Sequence, residues 1–232
     1  MQRKPTYWSL TALTQYEGCP SQYEWVRIQK HRNDLSNNPA VIRGNEMHKK
    51  AENLVLGKIT GIPSDLRKFS TEFRNLMRTN VSPEAELAVD KNWQPCAWND
   101  WDRVWCISKA DAVVRELEES DVIDYKSGRV RTNYEPQLEL YGCCELGYSP
   151  KMEIANSELW FLDHQNADGS GLVIKKKFDR YYLEEARKEW EHRASKLLTA
   201  TKYPARPSGS ICRWCSRRDD KGGDCNRWRD VE

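Results

Sequence analysis

Two acidic residues set inside apolar, strand-like runs constrain this chain more than any other feature. Lys109-Ala-Asp111 leads into Ala112-Val113-Val114, and Val122-Ile123 leads into Asp124-Tyr125-Lys126-Ser127-Gly128. Side chains two apart on a strand share a face, so Asp124 and Lys126 project together. A hairpin of residues 104–114 and 121–126 turning at Leu117-Glu118 sets Asp111 opposite Asp124. Directly opposed Cβ atoms lie about 4.5–5.5 Å apart, a separation at which two carboxylates repel unless a cation lies between them. Oxygen-only ligands favour a hard divalent ion, Mg²⁺ or Mn²⁺. Lys126, one pleat further on, is placed to hold a water or to stabilise charge on a phosphate oxygen. The competing reading is a solvated hairpin face; acids embedded in apolar strands without a partner are unusual.

The rest of the pattern supplies layers for such a hairpin. Residues 8–30 read as a short helix starting near Ser9, broken at Cys19-Pro20. Residues 40–57 carry helical spacing through Val41, Met47, Ala51, Leu54 and Val55, and a second helix runs from an N-cap at Ser64 through Leu66, Phe69, Phe73, Leu76 and Met77. Then the period changes. Glu86–Asp90, 104–107 with 110–114, and 122–125 read as strands, followed by a helix from about Asn133 with Pro136 in its first turn. Two more strands, 158–162 and 172–178, flank an Asn166–Gly169 turn, and a long helix spans 179 to about 198. This order predicts an α/β fold, a mixed sheet flanked by helices. We expect one domain over 1–232, with a Cys/Trp/Arg-rich segment 204–232 packing on the N-terminus. Ten Trp and ten Tyr supply a core, and Lys+Arg 37 against Asp+Glu 35 excludes a basic tail-like protein. No run is apolar enough for a spanning helix and Met1–Pro5 lacks a signal-like stretch, so a soluble, cytoplasmic protein is expected.

Further residues group around the acidic pair in the sequence pattern. Gln137 and Tyr141 stand at i and i+4 on one helix face, and Gly44-Asn-Glu-Met-His48 places a histidine on an earlier helix. The ensemble Gly44-x-x-x-His48, Asp111, Asp124-Tyr125-Lys126 and Gln137-x-x-x-Tyr141 resembles the RecB-like branch of the PD-(D/E)XK nuclease superfamily. That resemblance implies a restriction-endonuclease-like sheet. It implies that Asp111, Asp124, the Tyr125 carbonyl and His48 bind the catalytic metal, and that Lys126 orients and helps deprotonate a water. Gln137 would steady the centre, and Tyr141 would contact DNA or the helix packing. Glu86 is read as an exposed strand residue rather than a further acid of the site. The activity implied is a Mg²⁺- or Mn²⁺-dependent DNA exonuclease acting on single strands or duplex ends in phage or bacterial replication, recombination or degradation. A structure-specific endonuclease and a non-catalytic nucleic-acid-binding module are the alternatives. Replication or recombination proteins and a second copy of the chain are conceivable partners.

Of eight cysteines, only Cys212-x-x-Cys215 with Cys225 has a ligand-like spacing. Without an export signal, clustered thiols point to a metal, and thiolates suit iron–sulfur or zinc. The alternative is a buried Cys19 and unligated C-terminal thiols. In several RecB-type nucleases one N-terminal and three C-terminal cysteines hold a [4Fe–4S] cluster; the resemblance extends that role to Cys19, Cys212, Cys215 and Cys225, with zinc as the alternative. Cys96, Cys106, Cys143 and Cys144 read as buried thiols. Basic clusters at Arg129/Arg131, Lys175–Lys177, Arg213, Arg217-Arg218 and Arg227/Arg229, interleaved with Tyr134, Trp214 and Trp228, are candidate nucleic-acid contacts. Lys175–Lys177 read better as a solvated surface. Arg129 and Arg131 follow the Asp124–Lys126 strand directly.

Overall fold

A computed structural model describes residues 5–31 and 38–231. In chain order the elements are α1 (Leu10–Gly18), α2 (Pro20–Tyr23), a π-helical turn Glu24–Ile28, α3 (Pro39–Val55), a 3₁₀ segment Ser64–Phe69 and α4 (Ser70–Leu76). There follow β1 (Val81–Val89), β2 (Cys106–Glu116), β3 (Glu119–Lys126), α5 (Glu135–Tyr148), β4 (Ile154–Gln165), β5 (Gly171–Asp179), α6 (Arg180–Leu198) and α7 (Gly209–Cys212). The chain divides into two units, residues 36–187 and residues 1–35 with 188–232. Among the described residues no helix is long and apolar enough to cross a membrane.

The larger unit is built on one mixed sheet of order β1-β2-β3-β4-β5. β1, β2 and β3 form an antiparallel meander, and β4 pairs parallel to β3, which requires a crossover that α5 supplies. β5 returns antiparallel to β4. The β2–β3 hairpin turns at Leu117-Glu118 in the register expected from the sequence, with Val113 opposite Val122 and Ala112 opposite Ile123. Leu117 takes the left-handed conformation, φ 54°, at this two-residue turn.

One face of the sheet is buried by residues of matching period. Met47, Ala51 and Leu54 of α3, spaced by four and three, meet Ala112/Val114, Ile123/Tyr125 and Trp160/Leu162, spaced by two. Leu66, Phe69, Phe73 and Leu76 complete this layer. α5 packs on the sheet as well and is buried from Leu140 to Gly147. Its Gly147 is required by closeness: a Cβ there would stand 2.7 Å from the Trp93 carbonyl oxygen. Cys96, Cys106, Cys143 and Cys144 are buried free thiols, as expected.

Three local expectations are corrected. Ser64 does not cap a single helix over 64–77; Pro63 holds that position, and the Ser64 hydroxyl donates to Asp65 Oδ1 at 3.0 Å. The tighter 3₁₀ winding brings Leu66 and Phe69, three apart, to the same side and into the core before α4 begins. β1 starts at Val81, ahead of the expected Glu86, because an edge strand tolerates Pro83. β4 extends beyond 158–162 at both ends.

In the smaller unit, α1 is capped by Ser9 and stops where Cys19 turns extended ahead of Pro20. Trp8 stacks on Trp190 at 5.8 Å, and Arg193 grips Glu17 through two bonds of 2.7 and 2.8 Å. Arg217 donates to the Ser21 carbonyl at 2.9 Å and pairs with Glu24 and Asp224. Arg206 donates to the Glu17 carbonyl at 2.9 Å. Residues 204–231 are thus fastened to the N-terminal helices by guanidinium groups.

Candidate active site

The β2–β3 ladder pairs as far as Ala112 opposite Ile123, and the next residue of each strand, Asp111 and Asp124, turns its side chain to the other face. Asp111 collects two donors there. The Tyr125 N–H donates to its Oδ2 at 2.5 Å, and His48 Nδ1, brought by α3, lies 2.8 Å from its Oδ1. Asp124 is deeper. Its Oδ1 accepts the Tyr141 hydroxyl at 2.5 Å and Gln137 Nε2 at 3.2 Å, both from α5. Its Oδ2 is engaged by the Lys126 ammonium at 2.6 Å.

Helical spacing explains the α5 contribution. Gln137 and Tyr141 are one turn apart, and Gln137 Nε2 also donates to the Tyr141 oxygen at 3.1 Å. The parallel β3–β4 crossover places α5 over the ends of β2 and β3 that bear the acids. Tyr125 alternates to the opposite face, where it packs against Phe73 and Trp160, and so anchors its neighbours Asp124 and Lys126.

The electrostatics follow from burial and crowding. Burial pushes the Asp124 pKa up and the Asp111 charge adds to this, against the pull of Lys126 and Tyr141. Burial drives the Tyr141 hydroxyl well above its ordinary value, and the nearby Asp124 carboxylate reinforces that. Burial lowers the His48 pKa, but the bond to Asp111 and the two carboxylate charges raise it further, for a net increase. Asp124 therefore leans on the Lys126 ammonium and Asp111 on the His48 imidazole, and among the described residues no group of three or more His, Cys, Asp or Glu is arranged to hold a metal ion. The donor chemistry still suits one: the Asp111 and Asp124 carboxylates form a hard oxygen set.

Every residue proposed for the site from the sequence, His48, Asp111, Asp124, Tyr125, Lys126, Gln137 and Tyr141, lies in this one constellation. Glu86 is exposed on β1 across from Lys109. Sequence reasoning missed two features. Glu84, at the level of Asp111 on β1, bonds Lys109 Nζ at 2.5 Å. Asp163, on β4, pairs bidentately with Arg43 and accepts the Gly128 N–H at 2.6 Å, fixing the exit from β3. Arg43 and Asp163 lie 120 positions apart, and no local pattern announces such a pair.

Among the basic clusters, Lys175, Lys176 and Lys177 are engaged by Glu158, Glu135 and Glu119. Arg217 and Arg218 pair with acids, and Arg218 also stacks on Trp228 at 3.7 Å. Arg229 and Arg227 pair with Asp219 and Asp230. Arg129 and Arg131 are exposed and, among the described residues, form no ion pair. In the smaller unit Cys19, Cys212, Cys215 and Cys225 line one small cavity together with Arg217 and Trp228. Burial raises the Cys215 pKa, and the other three thiols add to the rise.

Residues 106–219 match the family profile described as the PD-(D/E)XK nuclease superfamily. Among solved structures, the crystal structure of SSO0001 is similar with TM-score 0.51 and 17% identity, over 93% of this chain and 85% of that one. A candidate exonuclease from Eubacterium rectale is similar with TM-score 0.50 and 12% identity, over 98% of this chain and 88% of that one. At these identities the two structures speak to the fold alone. No curated protein matches the chain.

Proposed function

On the premise that residues 106–219 place this chain in the PD-(D/E)XK nuclease superfamily, we propose that it is a metal-dependent DNA exonuclease hydrolysing phosphodiester bonds at strand ends. The observation that carries this reading is that Asp111 and Asp124 stand just beyond the last paired residues of β2 and β3, where the Tyr125 N–H bonds Asp111 and Lys126 lies 2.6 Å from Asp124 Oδ2. Asp111, Asp124, the Tyr125 carbonyl and His48 would hold Mg²⁺ or Mn²⁺. When bound, such an ion neutralises phosphate charge, makes water a stronger nucleophile and stabilises the leaving oxygen. Lys126 orients the attacking water and accepts the scissile phosphate's charge. Gln137 and Tyr141 hold Asp124 Oδ1, so that the carboxylate presents Oδ2 to the reaction centre. Arg129 and Arg131, exposed beside the β3 exit and without an ion pair among the described residues, contact the DNA backbone. We place this activity in bacterial or phage DNA metabolism, in the cytoplasm.

End-labelled single- and double-stranded DNA incubated with Mg²⁺ or Mn²⁺ tests the proposal. Degradation from the ends, abolished by Asp111→Ala and by Lys126→Ala in folded protein, is the expected result; unchanged degradation by either variant rejects the assignment. Closed single-stranded circles should survive, and their cleavage would favour a structure-specific endonuclease.

The four cysteines that line one cavity support a second, structural group, a [4Fe–4S] cluster with zinc as the alternative. Anaerobic purification should give coloured, iron-containing protein that loses its colour in Cys215→Ser. Colourless protein containing zinc, or no metal, rejects the cluster.

A further inference from the structure

Lys109 is a second ammonium group beside the acidic pair, and the proposed chemistry leaves it without a role. It stands two residues before Asp111 on β2, so both side chains leave the same face. Like Asp111, it lies beyond Ala112, the last residue of β2 that pairs with β3. Its main chain is anchored: the Lys109 carbonyl accepts the Tyr141 hydroxyl at 3.2 Å, the same hydroxyl that bonds Asp124. Its side chain is half exposed, and its ammonium bonds Glu84 Oε2 at 2.5 Å.

Glu84 reaches that ammonium from an uncommon backbone state. Its φ is 51° inside a strand, at the one position skipped between Pro83 opposite Ala112 and Ala85 opposite Ala110. Residues other than glycine enter this region at a cost, and such outliers persist where their surroundings enforce them, often at functional sites. The irregularity sits at the level of Asp111, where the site's carboxylates lie. A half-exposed ion pair is weak and exchanges readily. Lys126 bonds Asp124 and His48 bonds Asp111, whereas Lys109 bonds neither acid and can change partners without disturbing either.

We propose that Lys109 binds a backbone phosphate of the DNA next to the scissile one, and that Glu84 is its positioning residue, holding the ammonium beside Asp111 until the phosphate replaces it. This inference rests on the nuclease reading. It makes β1, an edge strand outside the segment that matches the nuclease family, part of the substrate-binding face.

The test combines steady-state cleavage in Mg²⁺ with binding of a fluorescein-labelled oligonucleotide at several salt concentrations. Lys109→Met, with Lys109→Gln as the second variant should it fold poorly, is expected to raise KM about fivefold or more while kcat stays within about twofold. It should also reduce the salt dependence of binding by roughly one phosphate contact. Glu84→Gln should tighten binding by releasing the ammonium, and should have no effect in the Lys109→Met background. A Lys109 variant with unchanged KM and salt slope overturns the inference, as does a Glu84→Gln effect that persists without Lys109; in either case the nuclease reading stands. Wild-type protein that neither binds nor cleaves DNA overturns the nuclease reading itself, and this inference with it.

Discussion

The Tyr141 hydroxyl donates to Asp124 Oδ1 at 2.5 Å, from the helix that makes the parallel β3–β4 crossover. The same hydroxyl reaches the Lys109 carbonyl at 3.2 Å and receives Gln137 Nε2 at 3.1 Å. One phenol therefore ties α5 to the carboxylate of β3 and to the main chain of β2. Its buried position keeps the proton on the oxygen, because burial and the adjacent carboxylate both raise its pKa.

Tyr141→Phe should keep the fold and leave Asp124 Oδ1 with Gln137 alone. A hydrogen bond to a charged group contributes about 1.5–3 kcal/mol, which corresponds to a fall of roughly 10- to 100-fold in kcat if the bond matters fully in the transition state. Initial rates on labelled DNA, with circular dichroism as the folding control, measure it. An unchanged kcat would reduce Tyr141 to a packing residue.

Glu145 is wholly buried and grips Arg115 through two bonds of 2.7 and 2.8 Å. Arg115 keeps 27% of its side chain exposed, so water compensates part of its charge, and losing the charged hydrogen bonds should cost about 1.5–3 kcal/mol. Glu145→Ala should lower the urea midpoint accordingly. The double variant Arg115→Met/Glu145→Leu should recover much of the loss; if it is no better than the single variant, the cost lies in lost packing.

Asp163 links stability to pH. Its hydrogen bond with Arg43 holds its carboxyl below the usual range, against the effect of burial, with the Gly128 N–H assisting. A depressed carboxylate stabilises the fold fully above its unfolded-state pKa of about 3.9, and loses that contribution as pH falls through the lower folded value. The pair is partly exposed, so Asp163→Asn should cost about 1 kcal/mol or less at neutral pH. The gap between variant and wild type should close in acid. Thermal unfolding between pH 7 and the acid limit measures this, and a gap that widens on acidification would contradict it.

Phe73 is fully buried against Tyr125 and Trp160, with ring centroids 5.5 Å away in each case. Phe73→Ala should cost about 3–5 kcal/mol in chemical denaturation. Because Tyr125 separates Asp124 from Lys126, activity should fall even at temperatures where the variant remains folded. Full activity there would show that the β3 acid and lysine do not depend on the packing behind them.

The site was legible where it is local. Period-two alternation announced β2 and β3, a two-residue turn set their register, and i,i+4 spacing put Gln137 and Tyr141 together. The thiols of Cys96, Cys106, Cys143 and Cys144 were legible from residue type alone. Ser64 misled because an N-cap residue type says nothing about winding, and core contacts of Leu66 and Phe69 selected the 3₁₀ form. The start of β1 was missed because Pro83 reads as a breaker unless the strand is known to lie at an edge.

The order of residue types along the chain determined the β2–β3 hairpin, and with it the meeting of Asp111 and Asp124, because strand register propagates from a short turn. It also determined which helices could lend His48, Gln137 and Tyr141. Tertiary structure alone decided that the Asp124 carboxyl is buried and raised in pKa, that Asp163 clamps the β3 exit through Arg43, and that Glu84 bends out of its ladder to meet Lys109. Those outcomes depend on burial and on contacts between distant segments, which exist only once the sheet and its covering helices have closed around one another.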